Sequence, residues 1–133
     1  MNSIKRYFDN QFDRGDFVRA ALQQVLPGGK ILDAGAGSQQ YRKDCAHLKY
    51  FAQDFGKVTV DESKGYAALA NPYEYGPLDY TCDITQIPVE DQSFDAVLCT
   101  EVFEHIPDPA AALREFSRIL RRDGVLILTV PSN

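Results

Sequence analysis

The chain predicts an α/β fold, an open and mostly parallel sheet with helices on both faces. Three observations lead there. Short apolar runs alternate with stretches of helical period, the pattern of βαβ units. The first run, KILDA, opens onto a turn with two glycines, Gly35 and Gly37. Four successive runs also end in an acid: Asp33, Asp54, Asp83 and Glu101.

Taken in order, Ile4, Tyr7, Phe8 and Phe12 recur at helical spacing and predict a first helix over Ile4–Phe12. Asp16 is the expected cap of a second helix, with Phe17, Val18, Ala21, Leu22 and Val25 on its inner face. Pro27, Gly28 and Gly29 stop it, so the helical N-terminal part spans 1–28. Lys30–Asp33 is the first buried strand, and a helix is expected from Ser38 to about Ala46. Lys49–Gln53 reads as the second strand, reaching Asp54.

Between Phe55 and Pro77 the periodicity dissolves into an irregular insertion bearing Tyr66, Tyr73 and Tyr75, with a weak helical pattern over Asp61–Ala70. Leu78–Cys82 predicts the third strand and Phe94–Thr100 the fourth, after a turn at Glu90–Ser93. Asp108-Pro109 is a strong helix start, an acid cap followed by proline in the first turn. That helix places Leu113, Phe116, Ile119 and Leu120 on one face, carries Arg121 and Arg122 late, and stops at Asp123-Gly124. Val125–Val130 is the fifth strand. The expected sheet order is 3-2-1-4-5 within a single domain over 1–133.

At 133 residues, 44% hydrophobic and 25% charged, the chain has the composition of a globular domain. A net charge of −5 argues against gripping nucleic acid through its phosphates. Cys45, Cys82 and Cys99 are widely spaced, with no metal-ligand pattern. Cys82 and Cys99 fall in apolar runs and are expected as buried free thiols, which suits a reducing compartment, hence the cytoplasm. No cationic-then-apolar leader and no apolar run of about 18 residues is seen, so neither export nor a membrane span is expected.

Acids at the carboxyl ends of parallel strands face one crevice, where ligands of such sheets bind. Glycines let the backbone approach a ligand closely. Asp33 lies where a pyrophosphate would otherwise sit, so it repels an anion and can accept from an ammonium group. Asp54 follows the glycine turn by roughly 20 residues, the spacing at which a carboxylate meets a ribose diol. Asp83 can accept from an exocyclic adenine amine, with Ile84 as an apolar wall. Ammonium, ribose and adenine together describe S-adenosylmethionine.

LDAGAG, the acid at Asp54, the segment CDITQIPVEDQSFDAVLCTEVFEHIPDP and the run LREFSRILRRDGVLILTVPS resemble the class I, Rossmann-like S-adenosylmethionine-dependent methyltransferases, in particular their type 11 group. The resemblance covers roughly Lys30 to Asn133 apart from the insertion, and implies a Rossmann-like three-layer sandwich. It implies that Asp33, Gly35 and Gly37 hold the methionine portion of S-adenosylmethionine, Asp54 the ribose, and Asp83 with Ile84 the adenine, with Ala34 and Phe55 also among the cofactor-binding residues. Thr100 and Glu101 would line the floor near the sulfonium, and S-adenosylhomocysteine would be the product. The acceptor implied is a small molecule. His105 is the candidate base, four residues after Glu101, although the two could simply pair on a surface.

Two other readings stand beside this one. A nicotinamide oxidoreductase asks for glycine or alanine at the sixth position of the turn, which here is Gln40. A cofactor-binding subunit without catalysis is the more serious rival. The family's sheet continues beyond a fifth strand, and the sequence stops at Asn133. VLILTV is then expected as an exposed edge open to self-association.

Overall fold

The computed structural model describes residues 13–55 and 76–130. The expected helices over Ile4–Phe12 and Asp61–Ala70 lie outside the described residues. Five strands form one parallel sheet: β1 (Lys30–Ala34), β2 (Lys49–Asp54), β3 (Tyr80–Thr81), β4 (Phe94–Thr100) and β5 (Leu120–Thr129). Their spatial order is β3-β2-β1-β4-β5, as the sequence predicts.

Alternate residues of the central strands serve opposite faces. Ile31, Ala96, Leu98 and Ile127 pack against Val18, Leu22 and Val25, which come from helix α1 (Arg14–Gln23) and the turn after it. Leu32, Ala34, Val97 and Cys99 pack with Ala112, Phe116 and Ile119 of helix α2 (Pro109–Ile119). Helix, sheet and helix make the three layers. Both β1 and β4 are covered on both sides, which explains why they read as unbroken apolar runs.

Several boundaries differ from expectation. Helix α1 is capped by Asp13, whose carboxylate accepts from Gly15 N, while Asp16 lies inside the first turn and pairs with Arg19 at 3.0 Å. The helix expected from Ser38 to Ala46 is absent. A short 3-10 helix at Arg42–Cys45 takes its place, because Gln39 has φ +58°, a left-handed conformation that interrupts a helix. Strand β3 is shorter than Leu78–Cys82. Asp79 N donates to Ala52 O, and the Asp79 carboxylate accepts from Ala52 N at 2.8 Å.

At the other end α2 stops at Ile119 and the chain goes straight into β5. Leu120, Arg121 and Arg122 therefore belong to the strand, where Leu120 pairs with Phe94. Leu113 is 39% exposed, and the polar Glu115 lies in the buried stripe instead. The capping of α2 is as expected: Asp108 accepts from Ala111 N and Pro109 opens the helix. Cys45 and Cys99 are buried free thiols, but Cys82, just past β3, is only half-buried.

The Glu115 substitution in the stripe has a purpose. Its carboxylate accepts from Ile87 N at 2.6 Å and holds Arg118 through two bonds. Arg118 in turn donates to the carbonyls of Ile87 and Val89 and to Asp91. This cluster pins the β3–β4 loop, which follows Asp83, onto α2. Asp95 is also structural: it accepts from Lys30 N and pairs with Arg121, joining the starts of β1, β4 and β5. Among the described residues no helix is long and apolar enough to cross a membrane.

Phe116 is fully buried between α2 and the sheet. Phe116→Ala is expected to cost about 3–5 kcal/mol through lost burial and a residual cavity. Urea unfolding checks this as a lower midpoint at an unchanged slope.

Candidate functional site

Because the sheet is parallel, all the strand carboxyl ends emerge on one side, and the order reverses between β1 and β4. Crevices for ligands form at such a switch point. Asp33, Asp54, Asp83 and Glu101 all fall at this end, on or just beyond four neighbouring strands.

The glycine turn is closely packed at Gly35. Gly35 has φ +68°, and a Cβ there would lie 2.7 Å from Val102 Cγ1. Both the conformation and the approach of the β4 loop require glycine. Gly37 has φ +51° and open space where its side chain would be. The turn is held by the end of β2: Gly35 N donates to Gln53 Oε1 (2.9 Å), Ala36 N to Gln53 O (2.8 Å) and Gly37 N to Asp54 Oδ2 (2.9 Å). Gln53 is 1% exposed, and its Nε2 donates to Cys82 O. One buried amide thus ties the β1 turn to the exit of β3.

Asp33 is 3% exposed and accepts from the Tyr50 hydroxyl at 2.5 Å. Burial is the main cause that pushes its carboxyl up to about 7, with the Asp54 carboxylate adding to the rise and the Tyr50 hydrogen bond opposing it. Among the described residues no cation pairs with Asp33, and its Oδ1 has no hydrogen-bond partner. Among the described residues the one buried side-chain polar atom without a partner is Asp44 Oδ2. A nearly dry carboxyl with an open oxygen at a glycine turn is suited to a cation.

Asp54 accepts from Gly37 N and Phe55 N, one bond to each oxygen, which leaves lone pairs for further donors. Phe55 beside it is exposed. Asp83 Oδ1 accepts from both Thr85 N and Thr85 Oγ1, and these bonds hold its carboxyl below the usual range. Ile84 is half-buried against the core on the α2 side. Thr100 ends β4 beside Thr129. Glu101 has φ +57° and pairs with Arg14 at the start of α1, 2.8 Å away. The expected pairing of Glu101 with His105 is not formed. The chain there is a 3-10 turn at Phe103–His105, and the His105 side chain is 78% exposed with Glu104 Oε1 3.4 Å away.

Four contributors escaped the sequence reading: Tyr50, Gln53, Gln39 and Val102. Gln39 Nε2 donates to Pro77 O, and its Oε1 accepts from Arg42, so it anchors the chain ahead of β3. Gln53 carried a usable signal, since an amide inside the apolar strand YFAQD calls for a buried partner. The others gave none.

Sheet order, glycine turn and strand-end acids define an open α/β domain of the kind that binds ligands at its strand carboxyl ends. Residues 32–128 match the methyltransferase domain family, and the chain belongs to it. The family is that of the class I methyltransferases that use S-adenosylmethionine, and solved structures described as S-adenosylmethionine-dependent methyltransferases are among those that share the fold. The chain is 34% identical over 118 residues to a ubiquinone biosynthesis O-methyltransferase of Xanthomonas oryzae pv. oryzae, covering 87% of this chain and 48% of that protein. It spans about half the length of the curated relatives it matches. A Bacillus halodurans protein described as a candidate methyltransferase superposes with a TM-score of 0.61 at 27% identity, over 86% of this chain and 52% of that one. An S-adenosylmethionine dependent methyltransferase of Mesorhizobium loti shares the fold, with a TM-score of 0.63 at 18% identity over 89% and 54%.

Two stability measurements check the site. Gln53→Leu leaves Gly35 N and Cys82 O without their partner and should cost on the order of 2–4 kcal/mol, read from chemical unfolding. For Asp33, the native carboxyl binds its proton more tightly than the unfolded chain does. Its contribution to stability is therefore present near pH 4 and is lost as pH rises to about 7. Asp33→Asn should then be stabilising relative to the parent at pH 8 and close to neutral at pH 4, as read by thermal unfolding at both values.

Proposed function

We propose that this chain forms the S-adenosylmethionine-binding part of a methyltransferase acting on a small-molecule acceptor. The observation that carries this reading is the buried Asp33 beside the glycine turn, an acid without a counter-cation where an anionic cofactor would be repelled. Asp33 and the backbone of Ala34, Gly35 and Gly37 would hold the amino-acid end. Asp54 and Phe55 would take the ribose, and Asp83 with Ile84 the adenine. Thr100 and Glu101 would form the floor.

S-adenosylmethionine supplies a methyl group on a sulfonium, which already carries its own leaving group. What remains for the protein is alignment and exclusion of water, and holding reactants in line is a large share of such acceleration. A base is needed only for an acceptor that must lose a proton. His105 is the candidate for it, reached from solvent beside Glu104.

A small organic acceptor is supported by the O-methyltransferases of ubiquinone biosynthesis among the relatives. The net charge of −5 disfavours a nucleic acid. The free thiols Cys45 and Cys99, which burial pushes up to about 12, suit a cytoplasmic setting. Self-association is assigned to the outer edge of β5, which no described strand pairs.

Titration calorimetry with S-adenosylhomocysteine tests the reading. We expect saturable micromolar binding, weakened tenfold or more by Asp54→Ala and left within twofold by His105→Ala. NAD at the same concentrations should not compete. Absence of both heat and thermal shift at millimolar S-adenosylhomocysteine would overturn the assignment.

A further inference from the structure

We propose that Tyr50 is a positioning residue for the amino-acid end of the cofactor, holding Asp33 by one oxygen so that the other is presented, ionised, to the ammonium group. The inference rests on the S-adenosyl reading above and deepens it.

The β1–β2 register aligns Ile31 with Tyr50 and Asp33 with Ala52, so Tyr50 and Asp33 are diagonal neighbours on the face covered by α1. Their contact is a 2.5 Å hydrogen bond from the phenol to Oδ2. Tyr50 does not stand alone. The Arg42 guanidinium lies 5.2 Å from its ring centroid, Arg42 Nη1 donates to Gln39 Oε1, and Gln39 Nε2 donates to Pro77 O. A continuous chain of contacts thus runs from Pro77, ahead of β3, to the carboxyl at the end of β1.

The chemistry explains why such a chain is needed. Burial drives Asp33 towards its neutral acid, and a neutral acid cannot pair with an ammonium. The groups facing Asp33 are Tyr50 and Asp54 of β2, Cys45 of the 3-10 turn and Cys99 of β4. Both thiols are uncharged at neutral pH, and Asp54 opposes a second negative charge. Tyr50 is the group that favours the carboxylate, because an O–H donor stabilises the charged form. Arg42 over the ring places positive charge behind that donor and so strengthens it. Tyr50 keeps its own proton, since burial and Asp33 push its hydroxyl far above the usual phenol range.

Two ligands separate this role from a structural one. S-adenosylhomocysteine carries the ammonium and carboxylate of the amino acid, whereas 5′-methylthioadenosine shares the nucleoside and thioether without them. Dissociation constants for both are measured by calorimetry with the whole chain and with Tyr50→Phe, from pH 6 to 8.5. At pH 7 the variant should bind S-adenosylhomocysteine about tenfold more weakly and methylthioadenosine within twofold of the parent. The S-adenosylhomocysteine deficit, taken as a ratio of variant to parent at each pH, should shrink as pH rises and Asp33 ionises without help. Should Tyr50→Phe fail to fold, Arg42→Gln serves at an exposed position, with the same ligand selectivity at about threefold. Equal weakening of both ligands, or a deficit that does not change with pH, would overturn the positioning role. A parent chain that binds neither ligand would remove the S-adenosyl reading and this role with it. A parent that binds S-adenosylhomocysteine while Tyr50→Phe binds it equally would remove only the role of Tyr50.

Discussion

Strand β1 is paired on both edges and covered on both faces, so a carboxyl group at its end is desolvated whatever surrounds it. Among the described residues Asp33 occupies that place without a counter-cation, an arrangement that costs stability. Much of the nearby structure makes it tolerable. Tyr50 gives it a hydrogen bond, and at the turn that follows Gly35 lets the backbone pass close to Val102. Strain and poor solvation of this kind concentrate where a ligand completes the site.

The rest of the crevice is organised from the end of β2. Gln53 and Asp54 between them accept from Gly35, Ala36, Gly37 and Phe55, and the Gln53 amide reaches Cys82 at the exit of β3. The glycine turn after β1 and the exit of β3 are therefore tied together through one buried side chain. On the opposite layer Glu115 and Arg118 fasten the loop after Asp83 to α2 by side-chain bonds to its backbone. Paired elements and buried polar ties, more than the loops themselves, fix the position of the site residues.

What could be read from sequence followed from local chemistry. The apolar runs of β1, β2 and β4, the Asp108-Pro109 start of α2 and the strand-end acids all act through neighbours in the chain or through period. Failures came where tertiary contacts decide. Gln39 takes a left-handed conformation and clamps Pro77, and this replaces an ordinary helix with one 3-10 turn. Leu120 goes to the strand because Phe94 is there to pair with it. Tyr50 and Arg42 read as unremarkable strand and helix residues, since their partners lie across the sheet or over a ring. Glu115 lies outside the apolar face that helical period marks, and its partners Ile87 N and Arg118 are supplied by the fold. The fold was therefore legible almost throughout, and the site only where its residues follow strand ends.

Membership of the methyltransferase domain family and the acids at the strand carboxyl ends point to the same ligand class by separate routes, one from similarity and one from electrostatics. The account's central claim is that the uncompensated carboxyl of Asp33 exists to receive a cation at the head of an adenosyl ligand. A crystal structure of the chain with S-adenosylhomocysteine tests it most directly. The account predicts the ligand's amino group within hydrogen-bond distance of Asp33 Oδ1, with the ribose at Asp54 and the base towards Asp83. Density placing the ligand's carboxylate at Asp33, or the ligand away from the strand carboxyl ends, would contradict it.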